Sequence, residues 1–276
     1  MAKQTEYSEN STQKLNASNI LNLDNKNYRA LLDHVCNETA QRFNMYDSSG
    51  KVRNATIIDV IAKTLCIACI TQKFSGQSVA GDVDSLYKEC HKLAINVLVE
   101  ELYYCLSQMG FKVLISTEAE LEYGKADILI TITNYGLNLK GNAKELLVEV
   151  KTGNSLSLSQ LFRYLLDEKS DTIVVWRIRR RQVLVFNAQE IKPLLTEFMR
   201  IICLRANRLL SSQQIQPCQH KNQWNYKSSQ EELEKAFKEF SAALVETLPV
   251  VLQTIIKQLE DVIPLEPINN GQNKNV

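Results

Sequence analysis

The chain lacks the signatures of several large function classes. It has no basic opening segment leading into an apolar core and no run of roughly 18 uncharged apolar residues, so neither secretion nor membrane insertion is expected. It has no Gly-x-Gly-x-x-Gly, no Gly-Lys-Ser/Thr loop and no Gly-x-Ser-x-Gly. Those absences argue against dehydrogenase, kinase and serine-hydrolase chemistry. It also lacks a dominant charge: 32 Lys and Arg against 31 Asp and Glu leave a formal net charge of +1. No molecule-wide basic field concentrates a nucleic acid, so any such contact must be local. The 7 cysteines are odd in number and scattered through apolar segments, Cys90, Cys105 and Cys203 among them. That usage predicts reduced thiols, a cytoplasmic setting and no disulfide framework.

What the chain does have is enough apolar sequence, 45% of 276 residues, for one well-buried core with helical additions or for two small domains. Residues 1–26 and 266–276 are polar and poor in apolar anchors, and both are expected to be disordered tails. Between them, residues 27–82 form a helical N-terminal segment, with apolar periodicity over Tyr28 to Tyr46 and Thr56 to Phe74. A further helix is expected from Val83 to Met109, stopped by Gly110. The pattern then turns to short strand-like runs: Phe111 to Thr117, Ala126 to Thr133, Glu145 to Val150, Thr172 to Ile178 and Val183 to Phe186. A helix from Leu158 to Glu168 interrupts them. Residues 188–265 form a C-terminal helical segment, one helix reaching about Leu210 and a second running from Glu231 to about Leu259, joined by a polar linker containing Pro217. The expected class is α/β (α+β), a mixed central sheet flanked by helices, with its core over residues 83–187.

The chemistry-bearing residues lie on those strands. Asp127 opens the second strand, and Glu149 and Lys151 end the third. Residues two apart on a strand share a face, so Glu149 and Lys151 present a carboxylate and an ammonium together. A lone Glu-x-Lys is equally a cross-strand ion pair at a sheet rim. Here a strand carrying Asp127 precedes it, so two carboxylates can meet; with the Val150 carbonyl they offer the hard oxygen donors that Mg²⁺ or Mn²⁺ takes while keeping waters for reaction. Lys151 can then position an attacking water and offset charge on a phosphate. The three side chains are expected to converge at the sheet rim, between the first and third strands. In the next helix, Gln160 and Tyr164 are four apart and share a face, although Ser157 and Gln160 also fit a capping box. Arg177, Arg179, Arg180 and Arg181 form a local basic cluster that either neutralises phosphates or caps a hairpin in solvent.

In this order of Asp127, Glu149 and Lys151 the chain resembles the PD-(D/E)xK nuclease superfamily, with Ala126 where many members have proline. Gln160-Leu161-Phe162-Arg163-Tyr164 is similar to the Gln-hydrophobic-x-x-Tyr motif of its RecB-like branch. The resemblance covers about residues 85–187. It implies a restriction-endonuclease-like core and metal-dependent hydrolysis of DNA phosphodiesters, with RNA left open. It also implies a ligand from the helix before the first strand, for which His91, continuing the stripe Ile95, Leu98, Leu102, Cys105, Leu106 and Met109, and Glu101, flanking it, are the candidates, His91 being preferred. The CRISPR-associated exonucleases of that branch usually carry an iron–sulfur cluster on four cysteines, one before the core and three close together after it. Here only Cys203 and Cys218 follow it, so no cluster is expected. The Cys66-x-x-Cys69 pair is expected to pack in a helix and bind nothing. The leading expectation is a RecB-like exonuclease. The alternatives are a restriction-like or junction-cleaving endonuclease, and a binding or assembly module whose terminal helices recruit a protein partner or a second copy.

Overall fold

The computed structural model describes residues 25–63, 82–111, 113–132, 144–153, 156–166, 170, 172–211 and 229–260. The chain divides into two compact units, Met1–Phe74 with Pro193–Cys218 and Ser75–Lys192 with Gln219–Val276. Cys66, Cys69 and Cys218 lie outside the described residues.

Among its described residues the first unit is helical. It contains α1 (Asn25–Phe43) and α2 (Asn54–Lys63). Leu32, Val35, Cys36, Ala40, Ile57, Ile58 and Ile61 are buried, at the helical spacing seen in the sequence. Between the helices Asp47 Oδ1 accepts the N–H groups of Ser49 (2.8 Å) and Lys51 (2.9 Å), which closes the loop at Gly50. The expected helix to Tyr46 stops at Phe43 because Asn44 leaves the helical region with φ 53°.

The second unit holds the sheet. Its elements are α3 (Asp82–Gln108), β1 (Val113–Leu121), β2 (Gly124–Ile132), β3 (Lys144–Lys151), α4 (Leu158–Leu166), β4 (Thr172–Arg177), β5 (Gln182–Asn187) and α6 (Gln230–Glu260), with α5 (Ala188–Ser211) crossing from this unit into the other. The strands stand in sequence order, β1-β2-β3-β4-β5. Three pairings are antiparallel, and β3 runs parallel to β4 across the crossover that contains α4. This is an α+β unit built on a five-stranded mixed sheet flanked by helices.

Strand alternation gives the sheet two different faces. Ile128 and Ile130 of β2, Leu146, Val148 and Val150 of β3, and Val174 and Trp176 of β4 pack with Leu98, Leu102 and Leu106 of α3 and with Phe240, Val251 and Ile255 of α6. Trp176 Nε1 donates to Thr247 Oγ1 at 2.8 Å, so the one polar atom of that large side chain is satisfied inside the core. Asp127, Leu147, Glu149, Lys151, Val175 and Arg177 alternate onto the opposite face, which α4 adjoins.

Several boundaries differ from the sequence expectation. β1 runs on to Leu121 and β2 starts at Gly124, because the Leu121↔Gly124 pair extends the hairpin to a two-residue turn. Tyr123 in that turn is buried, and its carbonyl accepts Arg163 Nη1 at 2.8 Å. On α3 the stripe begins earlier than expected, with Cys90 and Ala94 buried, while Met109 is 41% exposed because the helix ends at Gln108 and the chain turns through Gly110 at φ 78°. By length and composition α6 is apolar enough to cross a membrane, although charges such as Glu246 interrupt its apolar sequence. In this fold one face of α6 lies in the core.

Candidate active site

The site forms where two ladders break at one residue. β2 and β3 pair from Ile132↔Lys144 to Ile128↔Val148; one step further in the same register Asp127 faces Glu149, and pairing has ceased. On the other side, β1–β2 pairing holds at Thr117↔Ile128 and Ala119↔Ala126 but lapses between them, where Glu118, at φ 50°, stands opposite Asp127. A non-glycine residue in that region costs roughly 1 kcal/mol or more and persists only where its surroundings enforce it. The carboxylate of Asp127 takes over part of the lost ladder: Oδ2 accepts the Val150 N–H at 2.7 Å. Oδ1 lies 3.1 Å from His91 Nε2.

Glu149 is 1% exposed and fully engaged. Oε1 accepts Gln160 Nε2 at 2.7 Å and is ion-paired with Lys151 Nζ, while Oε2 accepts the Tyr164 hydroxyl. Gln160 links the group. Its Oε1 accepts from Lys151 Nζ at 2.7 Å, and its Nε2 also donates to Tyr164 OH at 2.7 Å. Amide oxygen towards the ammonium and amide nitrogen towards the carboxylate is the only orientation these partners allow. The side chain of Gln160 therefore serves the site and does not close a capping box with Ser157. Tyr164 OH also lies 2.9 Å from the Lys125 carbonyl, so its single proton is shared between that oxygen and Glu149.

Burial, and then the charge of Asp127, push the Glu149 carboxyl above its ordinary range, against the opposing pull of Lys151. The hydrogen bond to Asp127 raises the His91 imidazole, with partial burial opposing it. Burial foremost, then Glu149, drives the Tyr164 phenol far upward, so it stays a proton donor.

Asp127, Glu149, Lys151, Gln160, Tyr164 and His91 are thus brought together, and Val150 joins them through its N–H. The two carboxylates come from the second and third strands, as the sequence placed them, and those strands are neighbours in the sheet. Glu101 is exposed on α3, ten residues from His91, which at about 1.5 Å rise per residue is roughly 15 Å along the helix. The arginines are dispersed. Arg179 Nη1 donates to Tyr87 OH at 2.5 Å and Nη2 lies 3.6 Å from Glu239; Arg181 Nε pairs with Glu246 at 2.5 Å; Arg180 is exposed. Only Arg177 alternates onto the face of the site. Sequence reasoning missed the Lys125 carbonyl and Glu118; the first was within reach, two positions before Asp127, whereas nothing in the sequence marks the second.

No protein-family model, curated protein or solved structure matches this chain.

Among the described residues, no three His, Cys, Asp or Glu side chains are gathered as a ready metal-binding group. The donor set nevertheless suits a hard divalent cation. Two carboxylates of neighbouring strands lie side by side with an imidazole on one of them, and each Asp127 oxygen retains a lone pair beyond the one contact it makes, whereas Glu149 Oε1 is already engaged by Gln160 and Lys151. Burial foremost, and then the charge of Asp127, raises the Glu149 carboxyl, a cost that a bound cation would offset.

Proposed function

We propose that this protein is a metal-dependent nuclease that hydrolyses DNA phosphodiester bonds on a restriction-endonuclease-like core, of the RecB-like exonuclease type. The observation that carries this reading is the joint placement of Asp127, Glu149 and Lys151 on one face, with Gln160 holding the last two. Nothing in core packing calls for a buried carboxylate and an ammonium there, since polar burial of this kind costs stability unless function retains it.

Asp127, Glu149, the Val150 carbonyl and His91 would hold Mg²⁺ or Mn²⁺, imidazole favouring manganese. Such an ion supplies Lewis acidity towards a phosphate oxygen and lowers the pKa of a bound water. Lys151 carries the positive charge that offsets the growing charge on the phosphate, and it positions the attacking water. Gln160 Oε1 fixes the ammonium, while Gln160 Nε2 and Tyr164 fix the Glu149 carboxylate, so that both enter the reaction in one geometry.

The test is incubation of wild type and Lys151→Ala with Mg²⁺ or Mn²⁺ on linear, circular and single-stranded DNA. Loss of linear DNA from its ends, abolished by Lys151→Ala, is the expected result. Cutting of circular DNA would reassign the chain to the endonucleases, and no cleavage by wild type would sink the reading.

A further inference from the structure

The β1–β2 hairpin projects past the site. Beyond the break at Glu118 and Asp127 its tip is paired again, through Ala119↔Ala126, Glu120↔Lys125 and Leu121↔Gly124, but β3 pairs with β2 only as far as Ile128. Asp127 is therefore the residue of β2 that neither ladder pairs. A segment without ladder bonds opens more readily than a paired one, so the place of the Asp127 carboxylate depends on what holds the tip beyond it.

The holder is α4, and it grips the tip by the backbone. Arg163 Nη1 donates to the Tyr123 carbonyl at 2.8 Å, and Tyr164 OH lies 2.9 Å from the Lys125 carbonyl. The single proton of Tyr164 is shared with Glu149, whereas Arg163 donates to the tip from a guanidinium, and charge-assisted hydrogen bonds are roughly twice as strong as neutral ones. Arg163 is 6% exposed and Tyr123 1%, so water does not compete for the contact. Arg163 follows Gln160 by three positions on α4, so the helix that grips the tip is also the one that fixes Lys151 and Glu149.

We propose that Arg163 is a positioning residue of the metal site: by holding the Tyr123 carbonyl it locks the hairpin tip to α4, and thereby sets Asp127 at the spacing from Glu149 that a shared divalent cation needs. This rests on the nuclease reading above. The effect of Arg163 reaches the ion through Asp127, as the partners behind a metal ligand tune affinity without touching the metal.

The test separates the hydrogen bond from the volume of the side chain. Arg163→Met fills a similar space without a donor, and Arg163→Lys keeps a donor on a stem of comparable length. Mn²⁺ binding to the full chain is measured by calorimetry, and cleavage of linear DNA gives kcat and KM. Arg163→Met should weaken Mn²⁺ binding on the order of tenfold and lower kcat at subsaturating Mn²⁺, with KM for DNA within a few-fold. Excess Mn²⁺ should recover part of kcat, and Arg163→Lys should recover most of the Mn²⁺ affinity. Ile255→Ala, which opens a cavity in the core of the opposite face, should lower the melting temperature and leave Mn²⁺ affinity unchanged. If Arg163→Met does not fold, Arg163→Gln, which loses the charge and the reach, takes its place.

Mn²⁺ affinity equal in wild type and Arg163→Met, or no better in Arg163→Lys than in Arg163→Met, overturns the positioning role. So does an equal loss in Ile255→Ala, a raised KM with kcat and Mn²⁺ affinity intact, or a wild type that binds no Mn²⁺. Mn²⁺ binding that depends on the Arg163 donor, with no cleavage of DNA by wild type, leaves the positioning role standing and removes the nuclease.

Discussion

Asp127 Oδ2 accepts the backbone N–H of Val150 at 2.7 Å, one position past the last β2–β3 pair on β2 and two past it on β3. A side chain thus does the work of a strand carbonyl at the point where the strands part. The same contact holds the carboxylate beside Glu149, so the break in the ladder and the assembly of the site are one event.

That contact separates two roles of Asp127. Asp127→Ala leaves the Val150 N–H without its acceptor and should destabilise the fold by about 1–3 kcal/mol, whereas Asp127→Asn retains an acceptor oxygen and should cost well under half of that. Both should abolish cleavage and weaken Mn²⁺ binding. Thermal melts together with calorimetric Mn²⁺ titration check this, and equal melting temperatures for the two variants would refute the structural role.

His91 is the helix-borne group at the site and Glu101 is not. His91→Ala should weaken Mn²⁺ binding about tenfold or more, with a smaller effect on Mg²⁺, because imidazole is the softer donor. Glu101→Ala should leave both unchanged. Calorimetry on the two variants decides the assignment, and loss of binding confined to Glu101→Ala would reverse it.

Stability without metal should fall as pH rises. Folding lifts the Glu149 carboxyl above its ordinary 4.5 through burial and the nearby Asp127, and lifts His91 above its ordinary 6.5 through its hydrogen bond to Asp127. In each case the folded chain binds the proton more tightly than the unfolded one. The associated stability is fully present below pH 4.5 for Glu149 and below pH 6.5 for His91, and it is lost as pH climbs through the raised folded values. Melting temperature recorded from pH 5 to 9 in EDTA should therefore decline, less steeply in His91→Ala, and added Mn²⁺ should flatten the decline. A melting temperature that rises over this interval in EDTA contradicts the assignment.

Gln160 should act through Lys151 and Glu149 and not on the substrate. Gln160→Ala should lower kcat by about 10²-fold or more while leaving KM for a short DNA duplex within a few-fold, since positioning is felt in the transition state. Gln160→Glu should be worse, because it sets a second carboxylate against Glu149. A variant with raised KM and intact kcat would show that Gln160 binds DNA directly.

Alternation and helical spacing are local properties of the backbone, and what depends on them could be read directly from the residues. The common face of Glu149 and Lys151, the pairing of Gln160 with Tyr164, the buried stripe from Ile95 to Leu106 and the order of helix, three strands, helix and two strands all belong to this group. What depends on contacts between segments distant in the chain was decided only by the tertiary structure. Periodicity placed His91 and Glu101 near the same stripe, but only the docking of α3 on the sheet brings one of them within reach of Asp127. Four neighbouring arginines look alike in sequence, and the packing of α6 diverts Arg179 and Arg181 to Glu239 and Glu246 while the strand register leaves Arg177 on the face of the site. The lapse opposite Glu118 and the Asp127–Val150 contact exist only once three strands have found their register, because a hydrogen bond missing from a ladder is a property of the pair and not of either strand.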